Sequence, residues 1–368
     1  MLGAGVLAAQ DQPISQSAVK INLGDNSPLT FQSITLADSR ATATGAALVL
    51  DLHMSLSLRN GSGQRIHGVT LRVVAQETTL GGKGSITYPS LNVGPGEVLP
   101  VRIDMQLLRP SHLAGGPLVQ VDLDGVLFQN LSFFGPDRLN SKRSLTACEM
   151  EDRRDRAHFK QILAQRGKDA LQSEMLESLN RQTQAGMLTV TVSRSGRSVT
   201  SQAMPEHTEQ FAFLQFPDSP IEPLNGSAQL AGNEARAPHI EVRNRSAQPV
   251  KYVEMGWIVS DSAGKQYMAG SLPSADREMV LPPGRSTPLL QETTLSFTAK
   301  GRPVQLQRMV GFVNRVQFAD GKIWVPNRES LASNTLLKVL PPSAEEQRLS
   351  DIYRKRGIES VMAELNKF

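Results

Sequence analysis

The sequence predicts a mainly β chain with helices: two tandem β-sandwich units, each ending in a helical hairpin and related by internal duplication. Three observations predict it. Ser57-Leu58-Arg59-Asn60-Gly61-Ser62-Gly63-Gln64-Arg65-Ile66 aligns without a gap on Glu241-Val242-Arg243-Asn244-Arg245-Ser246-Ala247-Gln248-Pro249-Val250. Apolar residues alternate with polar ones on both sides of each copy. A Pro-Gly turn, an Asp-Gly turn and a charged helix interrupted by Arg-Gly then recur in the same order. A repeat of this kind implies one structural unit in each half.

The chain has 368 residues, enough for two domains with proper cores. Its 39% hydrophobic and 20% charged residues are those of a globular protein, and net charge is only +4. The basic residues are dispersed, which argues against a nucleic-acid partner. No stretch reaches the ~18–20 apolar residues of a membrane span. The lone Cys148 excludes an intrachain disulfide. Residues 1–11 read as a signal-peptide remnant, with Val6 and Ala8 suiting positions −3 and −1 of a cleavage site. Export to the periplasm or beyond is therefore expected. The boundaries that follow are residues 12–143 for the first sandwich and 144–185 for a helical segment that closes it. Residues 186–340 form the second sandwich, with a long loop at 217–237, and residues 341–368 a C-terminal helical hairpin.

The elements follow in order. Val19–Leu23 is a candidate leading strand, matched by Met187–Val192 in the second half. Leu48, Leu50, Leu52, Met54, Leu56 and Leu58 keep strict period two, so one face is buried and the other wet. Val69, Leu71 and Val73 align with Val253, Met255 and Trp257, a second buried face common to both halves. Gly94-Pro95-Gly96 and Pro282-Pro283-Gly284 each precede a further apolar run, as a type II turn would. Asp124-Gly125 and Asp320-Gly321 lie between apolar runs and predict type I′ hairpins. Thr146–Glu149 and Ser343–Glu346 read as helix caps. Aligned on Arg166-Gly167 and Arg356-Gly357, Phe159 matches Leu349, Ile162 matches Ile352 and Leu163 matches Tyr353.

The run Glu241–Val259, with an Arg-Asn-polar turn before a second alternating strand, resembles the opening strands of immunoglobulin-like modules in exported bacterial proteins. The resemblance covers about half of each repeat. It implies an immunoglobulin-like fold used for adhesion, spacing or protein contact, and transfers no functional residue.

Chemistry is sparse. The six histidines do not fall at metal-ligand spacing and read as scattered surface residues. Cys148 beside Glu149 reads as an ordinary thiol, because the neighbouring carboxylate opposes thiolate formation. Gly81-Gly82-Lys83-Gly84-Ser85 lacks the spacing and the helix of a phosphate loop. No cofactor is implied. Arg153-Arg154 with Arg156, and Arg354-Lys355-Arg356, are diluted by Asp152, Asp155, Asp351 and Glu359, the usual pattern of a solvated helix face. Candidate binding residues are Trp324 and Phe128, which follow the two Asp-Gly turns, and Arg354, Lys355 and Arg356. The expected function is a non-catalytic, exported or envelope-associated interaction protein with a protein partner. The rival classes are a hydrolase whose site assembles only in three dimensions and a carbohydrate-binding sandwich.

Overall fold

The computed structural model describes residues 11–113, 115–184, 187–194, 206–273, 279–290 and 293–367. The segment read as a leader falls almost wholly outside them. The chain is mainly β with helices, in two compact units divided between Glu149 and Met150.

The first unit has two sheets. In one, Ala47–Asn60 pairs along its length with Val98–Pro110. Its other edge is shared by Arg40–Thr44 and Leu29–Leu36. In the second sheet, Ile66–Val74 lies between Lys83–Tyr88 and Val119–Phe128. Leu50, Leu52, Met54, Leu56 and Leu58 from one sheet meet Val69, Leu71, Val73 and Val121 from the other in one core. The period-two pattern thus lands as predicted. Each such side chain contributes about 1.5–3 kcal/mol when fully buried.

Asp124-Gly125 is not a turn. It lies inside the continuous strand Val119–Phe128. The Asp124 carboxylate is buried and accepts hydrogen bonds from the Arg138 and Leu139 N–H groups and from the Ser141 hydroxyl. Gly125 is needed for space, since a Cβ there would lie 2.4 Å from the Phe133 ring. The hairpin turn comes later, at Leu131 with φ 67°, where the Leu131 N–H donates to the Phe128 carbonyl. Asp320-Gly321 is a turn, with Gly321 at φ 90°.

In the second unit the strands form one continuous twelve-stranded sheet, not two separate ones. The reason is Met187–Arg194. It pairs parallel with Gln266–Pro273 and antiparallel with Thr293–Ala299, joining the two halves. It is therefore no counterpart of the leading strand. Val19–Asn22 pairs parallel with Val119–Asp122; the matching parallel pair is Ala212–Phe213 on Val310–Gly311. Most of the expected loop at 217–237 is strand: Ile221–Ala231 and Glu234–Asn244 form a hairpin that turns at Gly232, φ 59°. Its buried positions are filled by small residues such as Gly226 and Ala228, and bulges shift its register, so no plain alternation was visible.

The two units repeat one strand pairing. Ile66–Val74 on Val119–Phe128 carries register shifts after Ile66 and after Thr70. Val250–Asp261 on Leu306–Phe318 carries them after Val250 and after Glu254, the aligned positions, and a third after Ser260 that the first unit lacks. Asn60 and Asn244 make the same bonds. The Asn60 Nδ2 donates to the Gln64 and Val93 carbonyls at 2.9 and 3.0 Å. The Asn244 Nδ2 donates to those of Gln248 and Leu281 at 2.8 and 2.9 Å. Each Oδ1 accepts from the N–H and hydroxyl of the serine two residues on. Both side chains are fully buried.

Helix α1, Ser141–Gln184, is interrupted at Gly167 (φ 82°, ψ −175°). It starts earlier than the Thr146 cap predicts because Asp137 Oδ1 already accepts the Lys142 N–H at 2.8 Å. Three more helices follow: α2, Arg328–Ser333; α3, Ala344–Arg356; and α4, Ile358–Leu365. Ser343 caps α3 as predicted, accepting the Glu346 N–H at 3.1 Å. Gly357 separates α3 from α4 at φ 78°, ψ 179°, nearly the Gly167 conformation. Within the second unit, Phe159, Ile162, Leu171 and Met175 of α1 form one core with Leu349, Ile358, Val361 and Leu365.

Candidate functional site

Arg153, Arg154 and Arg156, with Asp152 and Asp155, are not a solvated face. From Met150 onward, Asp152, Asp155, Arg156 and Phe159 recur at helical spacing, so charge and apolar side chain share one stripe. Asp152 and Asp155 are at most 1% exposed, and Arg156 is buried. The same holds in α3, where Glu345 and Glu346 precede Leu349 and are buried.

Arg328, at the start of α2, is the hub. Its Nη1 lies 3.0 Å from Asp155 Oδ1 and 2.9 Å from Glu346 Oε2. Its Nη2 lies 3.2 Å from Glu174 Oε1, and the guanidinium stacks on the Phe159 ring. Arg181 adds a 2.6 Å bond to Glu346, and Ser178 donates to the same carboxylate at 2.6 Å. A second chain runs from Arg156 to Glu345, 3.1 Å, and through Arg348 to Glu364, 2.6 Å. Asp152 Oδ1 accepts the Glu345 N–H at 2.9 Å, a second cap on α3.

The electrostatics follow from these contacts. The His158 ring, 3.6 Å away, with Arg328 and Arg181, holds the Glu174 carboxyl down to about 2 against the opposing effect of burial. Burial pushes the Asp155 carboxyl up, but the Arg154 guanidinium bonded to it, helped by Arg328, holds it below the usual range. Burial likewise opposes the charge on Arg328, and Glu346 and Asp155 outweigh it.

A cavity of about 300 Å³ adjoins this cluster. Arg154, Arg315 and Arg328 line its polar side; Met268, Leu337 and Pro341 line its apolar side.

No family model matches the chain, and no curated protein matches it. Among solved structures, a Bordetella pertussis protein assigned as ApaA is 13% identical, with a TM-score of 0.17, over 39% of this chain and 91% of that one. A structure named pT26-6p is 9% identical, with a TM-score of 0.19, over 90% and 73%. Red sea bream transglutaminase is 10% identical, with a TM-score of 0.13, over 81% and 31%. Likenesses this low carry no argument about fold or function.

The residues singled out by sequence fall in different places. Phe128 is buried on the strand before its turn, opposite Ile66. Trp324 comes after its turn, so the two are not equivalent; Phe134, 190 positions before Trp324, is the aromatic at that place, in the strand Phe133–Phe134. The Trp324 Nε1 donates to Asp218 Oδ2 at 3.1 Å and the ring packs against Phe216, so it is not a free platform. Arg354, Lys355 and Arg356 lie exposed in the last turn of α3, Arg354 paired with Asp351 at 2.7 Å; there the solvated reading holds. His67 departs from the surface reading. It is buried, with Nδ1 3.0 Å from Glu149 Oε2. Among the described residues, no group of three or more His, Cys, Asp or Glu side chains is arranged to hold a metal.

Proposed function

We propose that the chain is a non-catalytic interaction protein, exported or envelope-associated, built from two copies of an immunoglobulin-like β-unit. The observation that carries the reading is the engagement of the buried charges. Arg328 and Arg181 join α2, α1 and α3 through Glu174, Asp155 and Glu346, and these groups are committed to one another. Such pairs lock helices in one arrangement, because removing either partner strands a buried charge. The matched bulges and the matched Asn60 and Asn244 bonds support the duplication.

The test is photo-crosslinking of the full-length protein in its native cells, followed by fractionation. The reading expects recovery in the envelope fraction with a reproducible protein partner. Recovery in the cytosol with no crosslinked partner overturns it.

A further inference from the structure

The two units build the same strand pairing but fill one place beside it differently. In the first unit that place is a cavity lined by Gly24, Arg72, Asp122, Leu123, Phe134 and Pro136, among others. We propose that it is a docking site for an uncharged aromatic side chain of another protein. The inference gives the interaction reading a partner chemistry, and rests on that reading for the source of the ring.

Strand register fixes which residues correspond. Beyond the second shared shift, Leu71 pairs with Leu123 and then Arg72 with Asp122 in the first unit. In the second, Met255 pairs with Val313 and then Gly256 with Phe312. The parallel strands carry the count on, with Ile21 opposite Val121 and Phe213 opposite Gly311. The connection that follows ends alike in both units. The Pro28 carbonyl accepts the Gly61 N–H and the Pro220 carbonyl accepts the Arg245 N–H, each at 2.8 Å. Ile21 to Pro28 and Phe213 to Pro220 are equal in length, so Gly24 holds the place of Phe216. Phe134, paired with Val126, holds the place of Trp324, paired with Val316.

In the second unit the place is plugged. Phe216 is 3% exposed and its ring lies 6.1 Å from that of Phe312 and 6.3 Å from that of Trp324, in a cluster with Leu331 and Leu336. In the first unit Gly24 has no side chain to offer, and a Cβ built there meets nothing within 4 Å. What remains is a cavity of about 410 Å³, a size typical of small-ligand sites. Gly24, Pro136 and Arg138 of its lining are exposed, so it is reached from solvent. A ring brought from outside restores what the chain omits.

The lining suits an uncharged ring. Phe134 supplies an aromatic partner where Trp324 does. Asp122 and Arg72 replace Phe312 and Gly256, and both are engaged. Arg72 is bonded to Glu77 and lies 3.7 Å from Asp122, which accepts the Asn22 and Gln120 side-chain amides at 2.9 and 2.6 Å. A guanidinium beside a ring adds cation–π attraction, and a neutral ring breaks none of these pairs, whereas a charged guest competes for them. The exposed Arg138 is the cation that an anionic guest would use instead; the test includes such a guest.

The experiment follows the ¹⁹F signal of N-acetyl-4-fluorophenylalaninamide titrated with the full chain. The probe is expected to bind saturably, and N-acetylphenylalaninamide to displace it at least ~5-fold more effectively than N-acetylleucinamide or phenylacetate. Gly24→Ala and Gly24→Phe carry the same left-handed strain, at φ 80°, but only the second brings a ring to the cavity. Gly24→Ala is expected to keep the binding and Gly24→Phe to lose it. Should either fail to fold, Phe134→Leu is expected to weaken the probe at least ~5-fold. No saturable binding, displacement by N-acetylleucinamide or phenylacetate equal to that by N-acetylphenylalaninamide, equal binding by the two Gly24 variants, or unchanged binding by Phe134→Leu would each overturn the proposal. None of these results depends on recovery from the envelope, so the interaction reading stands or fails by its own crosslinking test.

Discussion

Two stretches of equal length end at glycines of nearly equal conformation, yet take different paths. Counting back from Gly167, residues 141–166 are one helix. Counting back the same distance from Gly357, the chain starts within α2, makes a 3-10 turn at Leu336–Lys338, and only then enters α3. The positions of Glu151 and Asp152 in the first stretch are held by Pro341 and Pro342 in the second. Proline inside a helix removes an N–H and clashes with the preceding turn, at ~3 kcal/mol or more. The helix therefore restarts at Ser343, and its open N–H groups need caps. Ser343 meets one, and Asp152, from the stretch that did not break, meets another. The released segment supplies Leu331 and Leu336 to an apolar cluster with Phe216 and Phe312. The two prolines thus delay the start of α3, and Arg328 of α2 bridges α1 and α3 through Asp155 and Glu346.

The largest expected effect tests that clamp. Arg328→Met should leave Asp155, Glu346 and Glu174 short of their shared cation and cost about 3–5 kcal/mol, read from urea unfolding. Arg354→Met, exposed in the last turn of α3, should cost less than ~0.5 kcal/mol. Equal effects would mean that burial does not separate the two basic groups.

Next in size is a comparison of the two units. Asn60→Asp and Asn244→Asp each set a carboxylate against two buried carbonyls that now receive N–H bonds. Each should lose about 2–3 kcal/mol, seen as faster amide hydrogen exchange confined to the unit that carries the change. A large effect at one site and none at the other would show that the two turns share geometry without sharing a structural role.

What the sequence made legible follows the same division. The alternating residues Leu50–Leu58, the glycine breaks and the Asn turns could be read because each is local: period two, a positive φ, a side chain bonding two residues on. The buried charges could not. Asp152, Asp155 and Arg156 look solvated when counted as a charge run, and buried only when placed on the stripe that continues through Phe159 and Ile162. Asp124-Gly125 misled for a related reason. Its hairpin composition is overridden by three hydrogen bonds from residues 138–141, which no local rule includes.

Acid should loosen the clamp. Glu174 titrates at about 2 in the folded chain, below the ordinary carboxylate value of 4.5. Its contribution is therefore present above about pH 4.5 and is lost as pH falls towards 2. After allowance for solvent screening it should amount to about 1–2 kcal/mol. Thermal unfolding between pH 5 and pH 2.5 should show a steeper decline for the native chain than for Glu174→Gln. Parallel curves would remove Glu174 from the cluster's energetics.

The smallest effect belongs to the histidine that contrasts with His158. His53 sits on an exposed sheet face, with Nδ1 2.9 Å from Asp104 Oδ1 and Nε2 3.5 Å from Asp51. The Asp104 hydrogen bond, opposed by slight desolvation and helped by Asp51, raises its pKa above 6.5. The sign is opposite to that of Glu174: this pair stabilises below the ordinary histidine value and fades as pH rises through the folded one. An NMR titration should place the His53 midpoint above 6.5, and Asp104→Asn should return it towards that value with little change in thermal stability. The physical difference between the two pairs is solvent: His158 shares its carboxylate with Arg328 and Arg181 inside the cluster, whereas the pair at His53 is screened by water on its open face. A midpoint that Asp104→Asn leaves unmoved would show that the exposed pair does not persist in solution.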